Sequence, residues 1–508
     1  MSKKQREKGV ILSYITIGVN FVIGILFTPF ITKSLGQSEY GLYSLASSII
    51  AYLTILDLGL GSSMIRFSSR AKAMDDKDGE ARINGMFLVM YGVISFIALI
   101  IGLILYHNIE PFFTKFNDEE IQKAKIIFLI LLANSCVSLP FTVISAILSS
   151  YEQFAYLKSY QLITNVVKYS LEAAVLAMGF KSIGVATAAV VVSIGSKIFP
   201  IAHIIRMKVK FSFKSFDKAL FKEIITYSSF IFINLVVDTI YSDTDKIILG
   251  KFVGATSVAV YGIASNICKD FSQFSTSINS VFLPNITKLI TKDKDMSNVS
   301  AIFIRIGRIQ FIILALVFSG FLIFGKDFIH YWVGDDYAEA YYISLIRMAP
   351  AMFTLSQNIG VTVLQAMNKH KIRSLMYLVI SIINVIISIP LAIKWGGIGA
   401  AIGTLIGNIL GQLLFMNWYY YKKIGLDIPG YWKNTVLKIG SVAAIYCAIS
   451  YFIYHFVTCS NIFVLLCGIA IYSIGFILLL WFVILNDEEK GELKKKSDGI
   501  LKKLNLAK

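Results

Sequence analysis

The sequence predicts an all-α integral membrane protein with about fourteen transmembrane helices, and three observations lead to this prediction. The chain of 508 residues is 56% hydrophobic and only 16% charged, with a mean hydropathy of +0.70, whereas a soluble domain carries about 25% charged residues. Apolar runs of about twenty residues recur along it, the length that a helix needs to cross a hydrocarbon core of about 30 Å. Six runs contain no Asp, Glu, Lys or Arg: 9–32, 126–149, 374–393, 398–421, 439–454 and 462–485.

The first apolar run is too long for the hydrophobic region of a signal peptide, and no small-residue cleavage site follows it, so we expect it to remain as the first helix. Apolar stretches of suitable length then continue to the end of the chain. We place the fourteen helices at 9–32, 40–61, 83–105, 125–149, 159–179, 183–205, 222–245, 256–284, 301–325, 341–367, 373–393, 398–421, 433–455 and 462–485.

Lys and Arg residues are distributed unequally between alternate connections. The two termini and the connections after the even-numbered helices hold about four times as many of them as the other seven connections. Because cytoplasmic loops collect positive charge, this distribution places both termini in the cytoplasm and supports an even number of helices. The formal net charge of +17 is therefore a topology signal that predicts no nucleic-acid partner, and the basic tail could also contact anionic lipid.

This topology predicts the outcome of reporter fusions. Fusions at Lys115, Lys181 and Asp335 should report an external location, and fusions at Lys214 and Lys423 an internal one. Each transmembrane helix takes the chain to the opposite side of the membrane, and the cytoplasmic N-terminus fixes the starting side. The measurement is the paired activity of a periplasmic and a cytoplasmic reporter at each position. A reversed result at any two positions would break the helix assignment.

The connections are too short to hold a second kind of domain. None is predicted to exceed about twenty residues, which leaves no room for a nucleotide-binding or large external catalytic domain. The five cysteines lack metal-ligand spacing, so we expect neither a metal nor another cofactor. A membrane enzyme, such as a polyprenyl-linked glycosyltransferase or polymerase, is disfavoured because such enzymes generally need a sizeable external loop carrying catalytic groups. We therefore expect a non-enzymatic protein.

An internal repeat predicts the domain organisation. The segment LGQSEYGLYSLASSI (35–49) reappears as VGATSVAVYGIASNI (253–267), and IGVATAAVVVSIG (from Ile183) pairs with IGAAIGTLIGNIL (from Ile398) at nearly the same offset. The offset spans six helices, an even number, so the two copies cross the membrane in the same direction, and a substrate site is expected between such halves. We predict a first lobe at 1–210, a second at 211–425, two added helices at 426–486 and a basic cytoplasmic tail at 487–508.

Polar residues at helical spacing mark four of the predicted helices. Asn20 lies on helix 1, Asp57 on helix 2, Asp238 on helix 7, and Lys269 and Gln273 on helix 8. Because charges within membrane helices are costly, they normally face protein or a wet cavity, and helices 1 and 2 are the repeat partners of helices 7 and 8. The pattern therefore predicts one central, water-filled cavity.

Structural roles compete with functional ones at several positions. Lys269 could form an ion pair with a carboxylate. Lys168 and Glu172 are four residues apart on helix 5 and are expected to pair. Arg66 follows helix 2 at the cytoplasmic surface, where the collection of basic residues could alone explain its presence. Arg308 enters helix 9 from the cytoplasmic side. The glycines at 399, 403, 407 and 411 predict close helix packing.

Several stretches resemble the O-antigen type of polysaccharide-biosynthesis flippase in the multidrug/oligosaccharidyl-lipid/polysaccharide (MOP) superfamily. They are LGQSEYGLYSLA, LDLGLGSSMIRFSSR (56–70), TDKIILGKFVGATSVAVYGIAS (244–265) and SSYEQFAYLKSYQL (149–162). The resemblance implies a MATE-like fold of two six-helix lobes plus two C-terminal helices, in a bacterial plasma membrane. It also implies translocation of an undecaprenyl-pyrophosphate-linked oligosaccharide to the outer leaflet by alternating access, for cell-surface polysaccharide synthesis.

With this function, Lys269, Arg66 and Arg308 are the cations that we expect to contact the pyrophosphate, and Arg347 would receive it before release. Asn20, Asp57, Asp238 and Gln273 would complete the cavity. The expected partners are the lipid-linked glycan and the bilayer, with a coupling ion (H⁺ or Na⁺) and polysaccharide-assembly enzymes left open. Two alternatives remain: a multidrug or cation antiporter of the same fold, using Asp57 and Asp238, and a flippase for lipid-linked peptidoglycan precursors.

Overall fold

The computed structural model of the protein is almost entirely helical. It describes residues 3–213, 217–293, 296–367, 369–457, 459, 461–485 and 490–491, and no strand occurs among them. The helices are α1 (Lys3–Leu35), α2 (Gln37–Thr54), α3 (Leu60–Ala73), α4 (Lys77–Phe112), α5 (Asp118–Ser150), α6 (Phe154–Ala177), α7 (Ser182–Ser196), α8 (Ile198–Arg206), α9 (Lys218–Phe252), α10 (Ala255–Asp293), α11 (Met296–Trp332), α12 (Glu339–Ser356), α13 (Ile359–Ala366), α14 (His370–Asn408), α15 (Met416–Tyr419), α16 (Ile428–Tyr431), α17 (Lys438–His455) and α18 (Ile462–Leu479).

The all-α membrane prediction is confirmed, and each of the fourteen predicted helices has a helical counterpart. Within the described residues, ten helical segments are long and apolar enough to cross a membrane. One of them, Lys371–Ile424, contains two predicted helices, because Trp395 and Gly396 have non-helical backbone angles that divide it. The predicted helices at 159–179, 256–284 and 341–367 correspond to α6, to α10 and to α12 with α13.

Helix 2 is broken, contrary to the prediction of one helix over 40–61. Here α2 ends at Thr54 and a single 3₁₀ turn covers Ile55–Asp57. Leu58 and Gly59 then have φ values of 53° and 74°, in the left-handed region that cannot continue a right-handed helix. The helix resumes as α3 at Leu60, so the segment that carries Arg66 is a helix and not a connection.

The predicted connections at 62–82, 106–124 and 285–300 are largely helical, because hydropathy detects only the apolar part of a helix. Charged turns extend several helices beyond that part, where polar groups can meet water. Side chains then cap the extended ends. The Asp76 carboxylate accepts a hydrogen bond from the Gly79 amide at 2.8 Å before α4, and Asn117 and Glu120 form a capping box at the start of α5.

The chain packs into two compact units. The first contains Met1–Asn266 and Lys371–Gly407, and the second contains Ile267–His370 and Asn408–Lys508. The first unit has a core of buried side chains from α3, α4 and α5, including Phe87 and Tyr91, and the second has one from α11, α17 and α18, including Phe324 and Phe476. The lobe boundaries predicted from the repeat remain predictions, and the basic tail lies outside the described residues apart from Lys490 and Gly491.

The two copies of the repeated segment pack against each other within the first unit. Gly36 and Gly254, which are equivalent in the repeat, directly precede α2 and α10 with φ values of 77° and 132°, a backbone conformation that favours glycine. A Cβ atom on Gly41 would lie 1.9 Å from the Ala255 carbonyl oxygen. Only a residue without a side chain therefore fits at this contact between α2 and α10.

Two of the structural roles considered above are confirmed. A Cβ atom on Gly399 would lie 1.9 Å from the Leu391 carbonyl oxygen, and one on Gly403 would lie 2.2 Å from Ser388 Oγ. This glycine row therefore allows close packing between the two helical segments of α14 that are divided at Trp395 and Gly396. Lys168 Nζ lies 3.9 Å from Glu172 Oε1 on the same helix.

Candidate functional site

The break between α2 and α3 positions the Asp57 carboxylate. Asp57 ends the 3₁₀ turn and accepts a hydrogen bond from the Tyr91 hydroxyl of α4. It also accepts hydrogen bonds from the backbone amides of Gly59 and Gly61, at the start of α3, where the helix dipole favours negative charge. Broken helices with polar residues at the break are typical of transporter binding sites.

Arg66 lies on the exposed side of α3, and its neighbour is an aromatic ring. The Arg66 guanidinium carbon is 4.3 Å from the centre of the Tyr227 ring on α9, a favourable cation–π geometry. One turn further along, Arg70 Nη1 lies 3.4 Å from Glu223 Oε1, with both side chains exposed. The face shared by α3 and α9 thus presents two arginines, of which Arg66 packs on an aromatic ring and Arg70 pairs with a carboxylate.

Asp238 and Asn20 lie at two other helix pairs of the first unit. The Asp238 carboxylate on α9 interacts electrostatically with Arg373 on α14, and one turn earlier Asn234 Oδ1 accepts a hydrogen bond from Ser374 Oγ at 2.8 Å. On α1, Asn20 Oδ1 accepts from Asn165 Nδ2 of α6 at 3.1 Å. Sequence reasoning missed Arg373 and Asn165 as partners, since both are remote in the chain.

In the second unit, α10 presents a polar exposed face. Lys269, Gln273 and Thr276 are exposed, and their spacing of four and three residues keeps them on one side of the helix. Gln273 Nε2 donates to Asp270 Oδ1 at 3.2 Å. The opposite side is packed: Phe271 is 2% exposed, and Ser275 Oγ donates to the Leu355 carbonyl at 2.7 Å.

The two other predicted arginines differ in exposure. Arg347 on α12 is half-buried and acts electrostatically on the Cys268 thiol of α10. Arg308 on α11 is 6% exposed, and it donates to the Asn434 carbonyl at 2.6 Å and to the Ile484 carbonyl at 3.3 Å. Both carbonyls belong to π-helical turns, at Trp432–Leu437 and Leu480–Ile484, so Arg308 connects α11 to the two C-terminal helices.

We expect Arg308→Ala to reduce folded protein. The substitution removes two hydrogen bonds from a charged donor to backbone carbonyl groups, and a hydrogen bond to a charged group contributes about 1.5–3 kcal/mol. The measurement is the thermal unfolding midpoint and the membrane abundance of the variant, compared with Arg305→Ala on an exposed position of the same helix. Unchanged stability of Arg308→Ala together with impaired transport would instead place Arg308 in the transport site.

Lys197 is a buried cation that the sequence analysis overlooked. It separates α7 from α8 and is 6% exposed. Its ammonium donates to Ser138 Oγ at 3.0 Å and to the carbonyl and hydroxyl oxygens of Ser193 at 3.1 Å, and it lies 5.5 Å from the centre of the Phe141 ring. The available signal was a single lysine inside the apolar run 183–205, with no acidic residue in that run.

The predicted residues are therefore distributed over both units. Asn20, Asp57, Arg66 and Asp238 belong to the first unit, where different helices hold them. Lys269, Gln273, Arg308 and Arg347 belong to the second, where Lys269 and Gln273 share one exposed face. Their assembly into one site remains a prediction.

Known proteins share this architecture over most of the chain. The fold is similar to that of the lipid II flippase MurJ in an inward closed conformation, with a TM-score of 0.73, 17% identity, and coverage of 93% of this chain and 99% of that one. It is also similar to an inward-facing multidrug resistance MATE family transporter of the MOP superfamily, with a TM-score of 0.62, 14% identity, and coverage of 84% and 99%. These likenesses show that the protein has the all-helical, multi-pass fold of these membrane transporters.

The sequence comparison gives the family. The family described as "Polysaccharide biosynthesis protein" matches residues 7–290, more than half of the chain, and the protein belongs to it. A relative from Shigella flexneri named "Putative O-antigen transporter" is 22% identical over 412 residues, covering 78% of this chain and 94% of the relative. The predicted membership of the polysaccharide-biosynthesis family is thus confirmed.

Proposed function

We propose that the protein is a flippase that moves a lipid-linked oligosaccharide from the cytoplasmic to the outer leaflet of a bacterial plasma membrane. The observation that carries this proposal is the exposed polar face of α10, where Lys269 and Gln273 stand on a helix whose other side is packed. An exposed cation and amide suit a charged, hydroxylated head group, whereas an apolar substrate would not require them. The name of the Shigella relative supports the same substrate class.

In its finer form, the proposal concerns an undecaprenyl-pyrophosphate-linked glycan. Lys269 and Arg66 are exposed and would donate charge-assisted hydrogen bonds to the pyrophosphate. Arg347 would receive it before release, and Asn20, Asp57, Asp238 and Gln273 would contact sugar hydroxyls or water. The contacts of Arg308 favour an anchoring role for that residue over substrate binding.

Transport would proceed by alternating access, with the polyprenyl chain remaining in lipid while the head group crosses between the lobes. Both termini would lie in the cytoplasm, as the distribution of Lys and Arg indicates. The energy source would be a coupling ion, H⁺ or Na⁺, or the membrane potential, and enzymes of polysaccharide assembly would supply and consume the glycolipid.

The test is a reconstituted flipping assay. Purified protein in liposomes receives a fluorescent undecaprenyl-pyrophosphate oligosaccharide, and a membrane-impermeant quencher measures how much of it changes leaflet. We expect flipping well above that of protein-free liposomes. Flipping of fluorescent lipid II alone would identify a peptidoglycan-precursor flippase, and efflux of an organic cation without glycolipid flipping would identify a multidrug antiporter; either result would overturn the proposal.

A further inference from the structure

A groove on the first unit lies apart from the candidate substrate residues. It has a volume of about 570 Å³ and is lined along α6 and α7 by apolar side chains, among them Leu171, Val175, Ile183 and Val191. Glu39, Lys123 and Lys181 also line it, and salt bridges hold these three charges together beside Ser182, at the end of the groove that is called its mouth below. An apolar groove with a charged mouth has the chemistry of a site for an amphiphile.

The length of the groove along α7 matches the thickness of one leaflet of a bilayer. Its lining on α7 extends from Ser182 at the charged mouth to Val191, and nine residues of α-helix rise about 14 Å. Half of a hydrocarbon core is about 15 Å. One acyl chain of a membrane lipid would therefore lie along α6 and α7 while its head group remained at the mouth.

The charges at the mouth form an alternating row. Lys181 Nζ lies 3.6 Å from Glu39 Oε1, the same oxygen lies 2.9 Å from Lys123 Nζ, and Lys123 Nζ lies 2.6 Å from Glu119 Oε1. The Glu39 carboxylate also accepts hydrogen bonds from the Ser182 amide at 3.0 Å and from the Ser182 hydroxyl at 2.9 Å. Each inner member of the row thus contacts opposite charges on both sides, whereas Lys181 and Glu119 each have one partner within the row, and Glu119 joins it through Lys123.

The two ends of the row are exposed and carry opposite charges. The Lys181 side chain is 64% exposed and the Glu119 side chain is 77% exposed, whereas Glu39 is only 8% exposed. A cation and an anion at fixed positions complement a zwitterion that has a phosphate and a primary ammonium. We propose that this groove, defined by its α6 and α7 lining and this charged row, binds one molecule of a zwitterionic aminophospholipid, phosphatidylethanolamine.

In the bound lipid, Lys181 donates to the phosphodiester and Glu119 accepts from the ammonium, and both bonds are charge-assisted. Phosphatidylglycerol presents the same phosphate to Lys181, but its neutral glycerol group offers Glu119 no cation. Phosphatidylcholine presents the same phosphate, but its trimethylammonium group has no hydrogen-bond donor. The topology predicted from Lys and Arg assigns this lipid to the outer leaflet.

The experiment uses native mass spectrometry of the purified full-length protein with phosphatidylethanolamine, phosphatidylglycerol or phosphatidylcholine added in equal amounts. We expect a one-to-one phosphatidylethanolamine complex that is retained about tenfold more than either other lipid. Lys181→Ala should reduce retention of phosphatidylethanolamine and phosphatidylglycerol. Glu119→Gln should abolish the preference for phosphatidylethanolamine over phosphatidylcholine.

Two further variants separate the groove from general lipid contact. Thr187→Trp adds a large side chain to the lining and should lower retention without changing either charge. Lys125→Ala is the matched control, since Lys125 pairs with Glu110 at 2.7 Å outside the lining, and it should retain the lipid normally. Equal retention of all three lipids, a preference for phosphatidylglycerol, or normal retention by Lys181→Ala would each overturn the proposal, and none of these results depends on glycolipid transport.

Discussion

We expect the Lys269→Ala protein to reach the membrane at normal abundance and to flip glycolipid about 10- to 100-fold more slowly than the unchanged protein. Lys269 is exposed on α10, and its neighbour Asp270 retains the hydrogen bond from Gln273 at 3.2 Å when the lysine is removed. Folding should therefore not depend on it. A hydrogen bond to a charged group contributes about 1.5–3 kcal/mol, which corresponds to the expected loss in rate.

Two variants make this result specific. Lys269→Arg keeps a cation at the site and should retain part of the transport, whereas Lys433→Ala removes an exposed lysine elsewhere in the same unit and should retain all of it. The measurements are membrane abundance and glycolipid flipping for the three proteins side by side. If Lys269→Ala is poorly folded, the lysine has a structural role, and if it folds and flips normally, Lys269 does not contact the substrate.

The Gly41→Ala substitution should strongly reduce the amount of folded protein. The added Cβ atom would lie 1.9 Å from the Ala255 carbonyl oxygen and 3.3 Å from the Ala259 amide nitrogen. Because both are backbone atoms, α2 and α10 must separate to accommodate it. Overpacking in a close-packed interior costs about 1–3 kcal/mol, occasionally more, and here it acts at the contact between the two copies of the repeat.

Gly18→Ala is the matched control, because a Cβ atom on Gly18 of α1 would meet no atom within 4 Å. Alanine also has a higher helix propensity than glycine, so this variant should be at least as stable as the unchanged protein. Thermal unfolding in detergent measures both variants. Equal unfolding midpoints would show that α2 and α10 do not approach as closely as described.

Local sequence was sufficient to predict the helices, because a segment inside a bilayer must satisfy its own backbone and be apolar along its length. It was insufficient for the breaks. Leu58 adopts a left-handed conformation that its side chain disfavours, so the end of α2 depends on contacts such as that of Asp57 with Tyr91.

The roles of individual polar residues were also only partly predictable. Lys269 was recognisable as a cation in the middle of a helix, and it is exposed as a substrate-contacting residue must be. Arg308 shows the same local pattern, but its two carbonyl partners are 126 and 176 positions away in the chain. No local pattern reveals such partners, since they depend on how α17 and α18 pack against α11.

The break at Lys197 gives the protein a charge inside the electric field of the membrane. Lys197 lies fifteen residues along the chain from Ser182, where α7 begins, or about 22 Å along the helix axis, and it is inside the apolar segment Ser182–Arg206, which is long enough to cross a membrane. Its ammonium is held by neutral serine oxygens. One elementary charge exchanges about 2.3 kcal/mol with a potential of 100 mV on crossing the whole membrane. Any movement of α7 and α8 along the membrane normal therefore does electrical work, which makes the rate of that movement depend on voltage even when no ion is transported.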